Sequence, residues 1–199
     1  MQLRFMIGLV LIGLSTAAPQ GSDARLSRQQ ADAFMQKILV ISDGGGPVAA
    51  SPRRTALSES ELNSWFAYHA RPLIPQGVAE PRISIIGQGK VGAEAIVDLD
   101  AVAKRKATGG VLDPWSYIGG RVPVSVTGFL HTKDGMGRFQ LESAEVSGVP
   151  VPKTVLQELV AYYSRTEDHP NGINLEAPFE LPAGINRIEV GQGQAVVVQ

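Results

Sequence analysis

The sequence predicts an α+β domain in which a long curled antiparallel sheet is wrapped on an amphipathic helix, with one extra helix at the amino-terminal side. Three observations carry that expectation. From Arg82 onward apolar residues recur at every second position in two long hairpin patterns. Three other stretches, beginning near Leu26, Ser58 and Pro152, recur every three or four residues instead. The 199 residues include no cysteine, so packing rather than disulfide bonds must hold the fold.

Taken in order, the first segment reads as a targeting signal. Arg4 precedes an uncharged apolar run, Phe5 to Leu14, and the small residues Ser15, Thr16, Ala17 and Ala18 follow. A signal peptidase needs small side chains at the first and third positions before its cut, so residues 1–18 are expected to be a signal peptide. The run is short against the roughly 20 apolar residues that span a bilayer. The expected location is therefore the periplasm or the exterior, as part of the cell envelope. Residues 19–55 then form a helix and a Gly/Pro-rich linker, and residues 56–199 form the main domain. With 18 Lys and Arg against 19 Asp and Glu, a net charge of −1, the chain has no basic footprint for nucleic acid.

Leu26 to Ile41 places Ala31, Phe34, Met35, Ile38 and Leu39 at helical spacing, and Ser27 is positioned to cap its start. Ser42 to Thr55, with Asp43-Gly44-Gly45-Gly46-Pro47 and Pro52, reads as a flexible linker in which Arg53 and Arg54 are solvated charges. A second helix starts at Ser58. Its hydroxyl can accept from the amide three residues on while Glu61 reaches back, a capping box. Leu62, Trp65, Phe66 and His69 share one face of it, and Pro72 ends it.

The first hairpin pairs Ile83 and Ile85 with Val91, Ala93, Ala95, Val97 and Leu99 across Gly87-Gln88-Gly89. The second sets Val122, Val124, Val126 and Leu130 against Phe139 and Leu141 across a Lys133-to-Gly137 turn, with Gly128 as a candidate bulge. Between them Ala107 to Gly120 forms a glycine-rich loop holding Trp115 and Tyr117. A third helix runs from about Pro152 through Val155, Leu156, Leu159, Val160 and Tyr163. A last hairpin spans Ile185 to Val198. Its phrase Arg187-Ile188-Glu189-Val190-Gly191-Gln192-Gly193 echoes Arg82-Ile83-Ser84-Ile85-Ile86-Gly87-Gln88-Gly89.

Chemistry-bearing residues do not assemble into a motif. His69, His131 and His169 are far apart and lack metal-ligand spacing. Asp98 and Asp100 sit two apart at a strand end, where they are expected to be solvated beside Lys104-Arg105-Lys106 rather than to share a proton or a cation. Ser143 and Ser147 lie in no glycine-flanked elbow. The two Gly-Gln-Gly turns link strand to strand and open no helix, so they are not phosphate loops. The chain is therefore expected not to be an enzyme and to need no cofactor or metal, with a hydrolase built from Asp98, His131 and Asp134 as the remote alternative.

Four phrases carry a family likeness: Leu57-Ser58-Glu59-Ser60-Glu61-Leu62-Asn63; Val122-Pro123-Val124-Ser125-Val126-Thr127-Gly128; Gly148-Val149-Pro150-Val151-Pro152; and Pro178-Phe179-Glu180-Leu181-Pro182-Ala183-Gly184-Ile185. Together they resemble a bacterial envelope family related to the mannan-maturation factor LmeA, similar in turn to the tubular lipid-binding superfamily of BPI-like proteins. The likeness covers about Ala56 to Gln199. It omits the first helix and linker, and the chain departs from it at the Ala107 to Gly120 loop. The resemblance implies an exported protein that binds or shuttles a lipid or another amphiphile, with transient membrane contact.

The residues themselves leave open whether the apolar inside of the sheet is plugged by side chains or left as a groove. As a groove between the curled sheet and the third helix, its expected lining is Trp65, Phe66, Ile85, Val97, Val124, Val126, Phe139, Leu141, Val155 and Leu159. The alternative is a scaffold or interaction module of an envelope complex, anchored on a partner protein through Trp115 and Tyr117.

Overall fold

A computed structural model describes residues 25–43, 52–98, 100, 120–163, 170–172 and 174–199. It is an α+β arrangement with one large antiparallel sheet, one small one and few helices. The elements are α1 (Arg28–Ser42), β1 (Arg54–Ser58), α2 (Glu59–Tyr68), a short 3-10 turn (Arg71–Leu73), β2 (Val78–Gly87), β3 (Lys90–Asp98), β4 (Arg121–Lys133), β5 (Met136–Val146), β6 (Val149–Pro150), α3 (Lys153–Tyr163), β7 (Phe179–Glu180), β8 (Arg187–Val190) and β9 (Gln194–Val198). The signal segment, the Ala107 to Gly119 part of the aromatic loop, Lys104 to Lys106 and His169 lie outside the described residues.

Both helix starts follow from their capping residues. The Ser27 hydroxyl accepts from the Gln30 N–H at 3.2 Å. At α2 the Ser58 hydroxyl accepts from Glu61 N–H at 3.2 Å, and the Glu61 carboxylate accepts from Ser58 N–H at 2.9 Å, so the capping box is complete. The third helix begins at Lys153, one residue later than expected, with Pro152 just outside it and its carbonyl accepting from Leu156 N–H at 3.0 Å.

The six-stranded sheet runs β2-β3-β4-β5-β6, with β7 pairing the far end of β5. The three-stranded sheet runs β1-β9-β8. β1 corrects the linker expectation: Arg54 and Thr55 are the first residues of a strand paired with Val198 and Val197. Nor is Arg54 merely solvated, because its guanidinium pairs with Glu189, while Arg53 donates to the Val40 carbonyl at 2.8 Å. The first helix is likewise built in rather than appended. Ile41 is buried with Ile185 and Val197, and Ile38, Leu57 and Ile188 pack around them.

The echoed phrases meet in space. The Gly193 N–H donates to the Ile85 carbonyl at 2.7 Å, and the Gly89 N–H donates to the Val190 carbonyl at 3.3 Å. Ile85 and Val190 hold corresponding places in the two phrases, as do Gly89 and Gly193, so the two turns latch reciprocally and join the small sheet to the tip of the large one. Both glycines have positive φ, +81° and +68°, which a side chain would strain.

Candidate functional site

The register of the large sheet sorts its residues into two unlike faces. Residues directly opposite one another in an antiparallel pair share a face. Val91 pairs with Ile85, Ala93 with Ile83 and Val97 with Val78. Across β3 and β4, Ala93 pairs with Val126, Ala95 with Val124 and Val97 with Val122. Across β4 and β5, Val126 pairs with Ala144, Gly128 with Leu141 and Leu130 with Phe139. Among the residues paired in register this face carries no charged side chain; Glu80 and Pro81 sit in a β2 bulge between Ala79 and Arg82, opposite Ala95. The one hydroxyl of those paired residues, on Thr132, is occupied by the backbone N–H and C=O of Ile188, both at 2.8 Å.

The opposite face carries polar side chains. Lys90 pairs with Glu142 and sits 5.8 Å from the centre of the Phe129 ring. The hydrogen bond from Lys90 holds the Glu142 carboxyl below its ordinary range. Thr127 and Ser143 hydroxyls meet at 2.6 Å, and His131 contacts Gln140 at 3.2 Å while stacking on Phe129. Ile86, Ile96, Phe129 and Met136 also lie on this face, so it is mixed, whereas the first face is apolar among its paired residues.

The dry face is covered unevenly. Leu141 and Ala144 are buried under Leu156 of α3, with Val126, Phe139, Val151, Val160 and Leu175 around them. Ile85 is buried at the end where the small sheet latches on. Ile85 and Leu141 stand in one cross-strand row through Val91 and Gly128; in that row and the three beyond it Ile83, Val91, Ala93, Ala95, Val97, Val122 and Val124 are only half-buried. Ala93 and Ala95, small residues flanked by valines, make the β3 row lower than its neighbours.

The bulge expected at Gly128 is present, between Thr127 and Gly128. Its cause is packing. The Phe139 ring lies over Gly128, and a Cβ there would overlap that ring and the Gln140 carbonyl oxygen. The ring takes the place of the missing side chain and keeps the dry face continuous.

The open edge of β2 is closed by α2. Asn63 exchanges two hydrogen bonds with the Ile83 backbone, both at 2.8 Å, and the Glu59 carboxylate accepts from Ile85 N–H at 2.6 Å. Four residues of helix rise about 6 Å and two residues of strand span about 6.7 Å, so side chains at i and i+4 of a helix can serve alternate strand positions. An edge that would invite another strand is thus filled.

Of the ten expected lining residues, Ile85, Val97, Val124, Val126, Phe139 and Leu141 share the dry face. On α3, Val155 is half-buried and the neighbouring Leu156 reaches the core, a residue helical spacing alone does not single out. The Leu159 side chain lies outside the described residues. Trp65 packs against α1, 5.5 Å from the Phe34 ring centre, with its indole N–H on the Met35 sulfur at 3.0 Å. Phe66 stacks edge-on to Trp65 and lines a separate depression of about 570 Å³ with Leu26, Asn63, Ile74 and Val78. No sequence signal distinguishes a helix face that meets another helix from one that meets a sheet.

The polar candidates stay apart. His69 pairs with Asp32 at 2.7 Å. Asp98 pairs in register with Arg121, ten residues along β4 from His131, a separation of about 33 Å. Asp98, His131 and Asp134 therefore cannot converge on one substrate. Asp100 accepts from the Gly120 N–H at 3.0 Å. Among the described residues no three His, Asp or Glu side chains gather as metal ligands, and no helix is long and apolar enough to cross a membrane. Comparison with protein-family models, with curated proteins and with solved structures returns no match.

Proposed function

We propose that the protein holds the hydrocarbon part of a lipid or another amphiphile along the dry face of the large sheet, beside α3, and shuttles it within a cell envelope. One observation carries this reading: a face without charge among its register-paired residues is buried at Ile85, Leu141 and Ala144 and only half-buried in the rows beyond, Ala95 with Val124 and Val97 with Val122. A sheet whose only task was to fold would gain by closing those rows as well. Burial supplies the driving force, at about 0.8 kcal/mol for each CH₂ moved out of water, so an acyl chain needs no charged anchor on the wall. Strands of this length present an apolar strip of about 27 Å from Val122 to Leu130, long enough for an extended chain. Kinship to the tubular lipid-binding superfamily belongs to the same proposal.

The test is organic extraction of the purified protein, followed by titration with a fluorescent fatty acid. Saturable uptake is expected, and Ala95→Trp, which fills the low row of β3, should weaken it about tenfold or more while thermal unfolding stays cooperative. Protein that carries no lipid and takes up no probe would end the proposal.

A further inference from the structure

A second surface, at the other end of α2, is built to be seen by a partner. The 3-10 turn Arg71–Leu73 displays Leu73, whose side chain is 71% exposed. This is not slack in the chain. Pro72 fixes φ within the turn and Pro75 does so two residues after Leu73. The Leu73 and Ile74 N–H groups both donate to the carbonyl of Ala70, at 2.8 and 3.1 Å, and Ala70 is fully buried. The turn closes again where Val78 N–H donates to the Pro75 carbonyl at 3.0 Å. A rigid, doubly pinned loop that holds a leucine in water carries a hydration cost that folding alone does not require.

Two more exposed apolar side chains stand at the same end, Leu26 at 40% and Tyr68 at 43%, with the Tyr68 hydroxyl donating to the Leu26 carbonyl at 3.4 Å. Around them are arginines. The Arg28 guanidinium lies 5.8 Å over the Tyr68 ring, Arg71 shares a depression with Leu26 and Ile74, and Arg25 is exposed one residue before Leu26. Among the described residues the acids nearby are Asp32, held by His69, Glu80, which shares the depression with Arg71 and Arg82, and Asp98, whose N–H donates to the Gly77 carbonyl and which faces Arg121 in register. The end is thus cationic on a chain whose net charge is −1.

Rigid exposed leucine, an interfacial tyrosine and a ring of arginines match a surface that is apolar within and anionic at its skin. We propose that this end docks on the surface of an anionic lipid bilayer, with Leu73 and Leu26 entering the headgroup layer and Arg25, Arg28 and Arg71 facing the lipid phosphates. A lone exposed leucine would carry no such weight, because single apolar side chains on a surface are ordinary. The weight comes from the rigid display together with the charge. The surface is separate from the dry face and gives the carrier reading a place to load and unload.

Vesicle sedimentation of the full chain tests it, comparing phosphatidylcholine with equal parts phosphatidylcholine and phosphatidylglycerol. The apolar run Phe5 to Leu14 follows Arg4, so the anionic preference assigned to this end is the part that the Arg28→Gln, Arg71→Gln pair removes. Three arginines at about fivefold each predict a preference for anionic vesicles on the order of 100-fold at low salt, shrinking as salt rises. Leu73→Glu should lower anionic binding roughly tenfold, as loss of a buried leucine would. Val149→Glu, which alters a 64% exposed side chain on β6, should leave it unchanged. Should Leu73→Glu fail to fold, the Arg28→Gln, Arg71→Gln pair tests the charge alone and should bring the ratio down by about 25-fold.

Equal binding to both vesicles, or an equal loss from Val149→Glu, overturns the proposal. A chain that prefers anionic vesicles but takes up no fatty-acid probe keeps this docking surface and removes the carrier reading. Uptake of probe without headgroup preference does the reverse.

Discussion

Two of the places where the described residues bury apolar side chains are treated differently. Under the small sheet, Ile41, Ile185 and Val197 are each less than a tenth exposed and are enclosed by α1, β1 and the last hairpin. On the large sheet, the dry face is buried at Ile85, Gly128, Gly137, Leu141 and Ala144, with Leu156 of α3 over the last two, and is half-buried elsewhere. The chemistry of the two regions is the same, aliphatic side chains without charge. Coverage is what differs, and it separates a region that serves stability from one that still has apolar surface to offer.

The largest effect should come from cutting into the closed region. Ile41→Ala removes buried methylenes among neighbours that cannot collapse freely, and a loss of about 2–5 kcal/mol is expected. Val124→Ala, from the half-buried row, should cost only about 1 kcal/mol. Urea unfolding at unchanged slope measures both. Equal losses would mean that the face beside α3 is as closed as the small core, and the distinction between the two regions would fall with it.

Next in size is the β4 bulge at Gly128. Gly128→Ala puts a methyl group where the Phe139 ring and the Gln140 carbonyl already stand. The ring must swing away or the bulge must shift, at about 1–3 kcal/mol. A second substitution, Phe139→Leu, frees that space, so the paired variant should cost less than the two single costs summed. Strict additivity would show that the ring does not lie over the glycine as described.

What the sequence made legible follows from the range over which each signal acts. The faces of the two long hairpins are visible as period-two alternation, because each strand's partner is its sequence neighbour and one turn sets the register. The capping box at Ser58 and Glu61 is visible for the same reason. β1 is not. Its partner strand is about 140 residues away, and Arg53-Arg54-Thr55 after Pro52 has no local pattern to distinguish pairing from a linker. The helix α1 is legible as a helix, but nothing in its spacing says that Ile38 and Ile41 belong to the small sheet's core. Ser64, fully buried, is the sharpest miss. Its hydroxyl accepts from Ser27 N–H at 3.2 Å and donates to the Gln30 side chain at 3.0 Å, tying α1 to α2. A serine on a helix reads as solvent-facing until the partner helix is in place. Of the expected lining, the strand residues share one face as their alternation predicts, whereas Trp65 turns to α1 rather than to the sheet.

The smallest expected effect separates the two regions by pH. Glu61 joins α1 to α2 by accepting from Lys37 at 2.7 Å while closing its own helix. Burial pushes its carboxyl upward, but the Lys37 ammonium and the Ser58 N–H and hydroxyl outweigh that and hold it below its ordinary value of 4.5. A carboxyl lowered on folding stabilises the fold at every pH above its unfolded value, and that contribution fades as pH falls through the folded value. Stability should therefore decline on acidification from about pH 4.5 downward. In Glu61→Gln, which can still reach back to the cap, that part of the decline should vanish, by about 1 kcal/mol or less because Lys37 is partly in solvent. The register-paired residues of the dry face include no ionisable group. Where both proteins remain folded, wild type and Glu61→Gln should therefore bind a neutral amphiphile with the same affinity from pH 7 down into the range below pH 4.5 where Glu61 titrates, and an affinity that tracked that titration would place the ligand against the helix pair instead of the sheet.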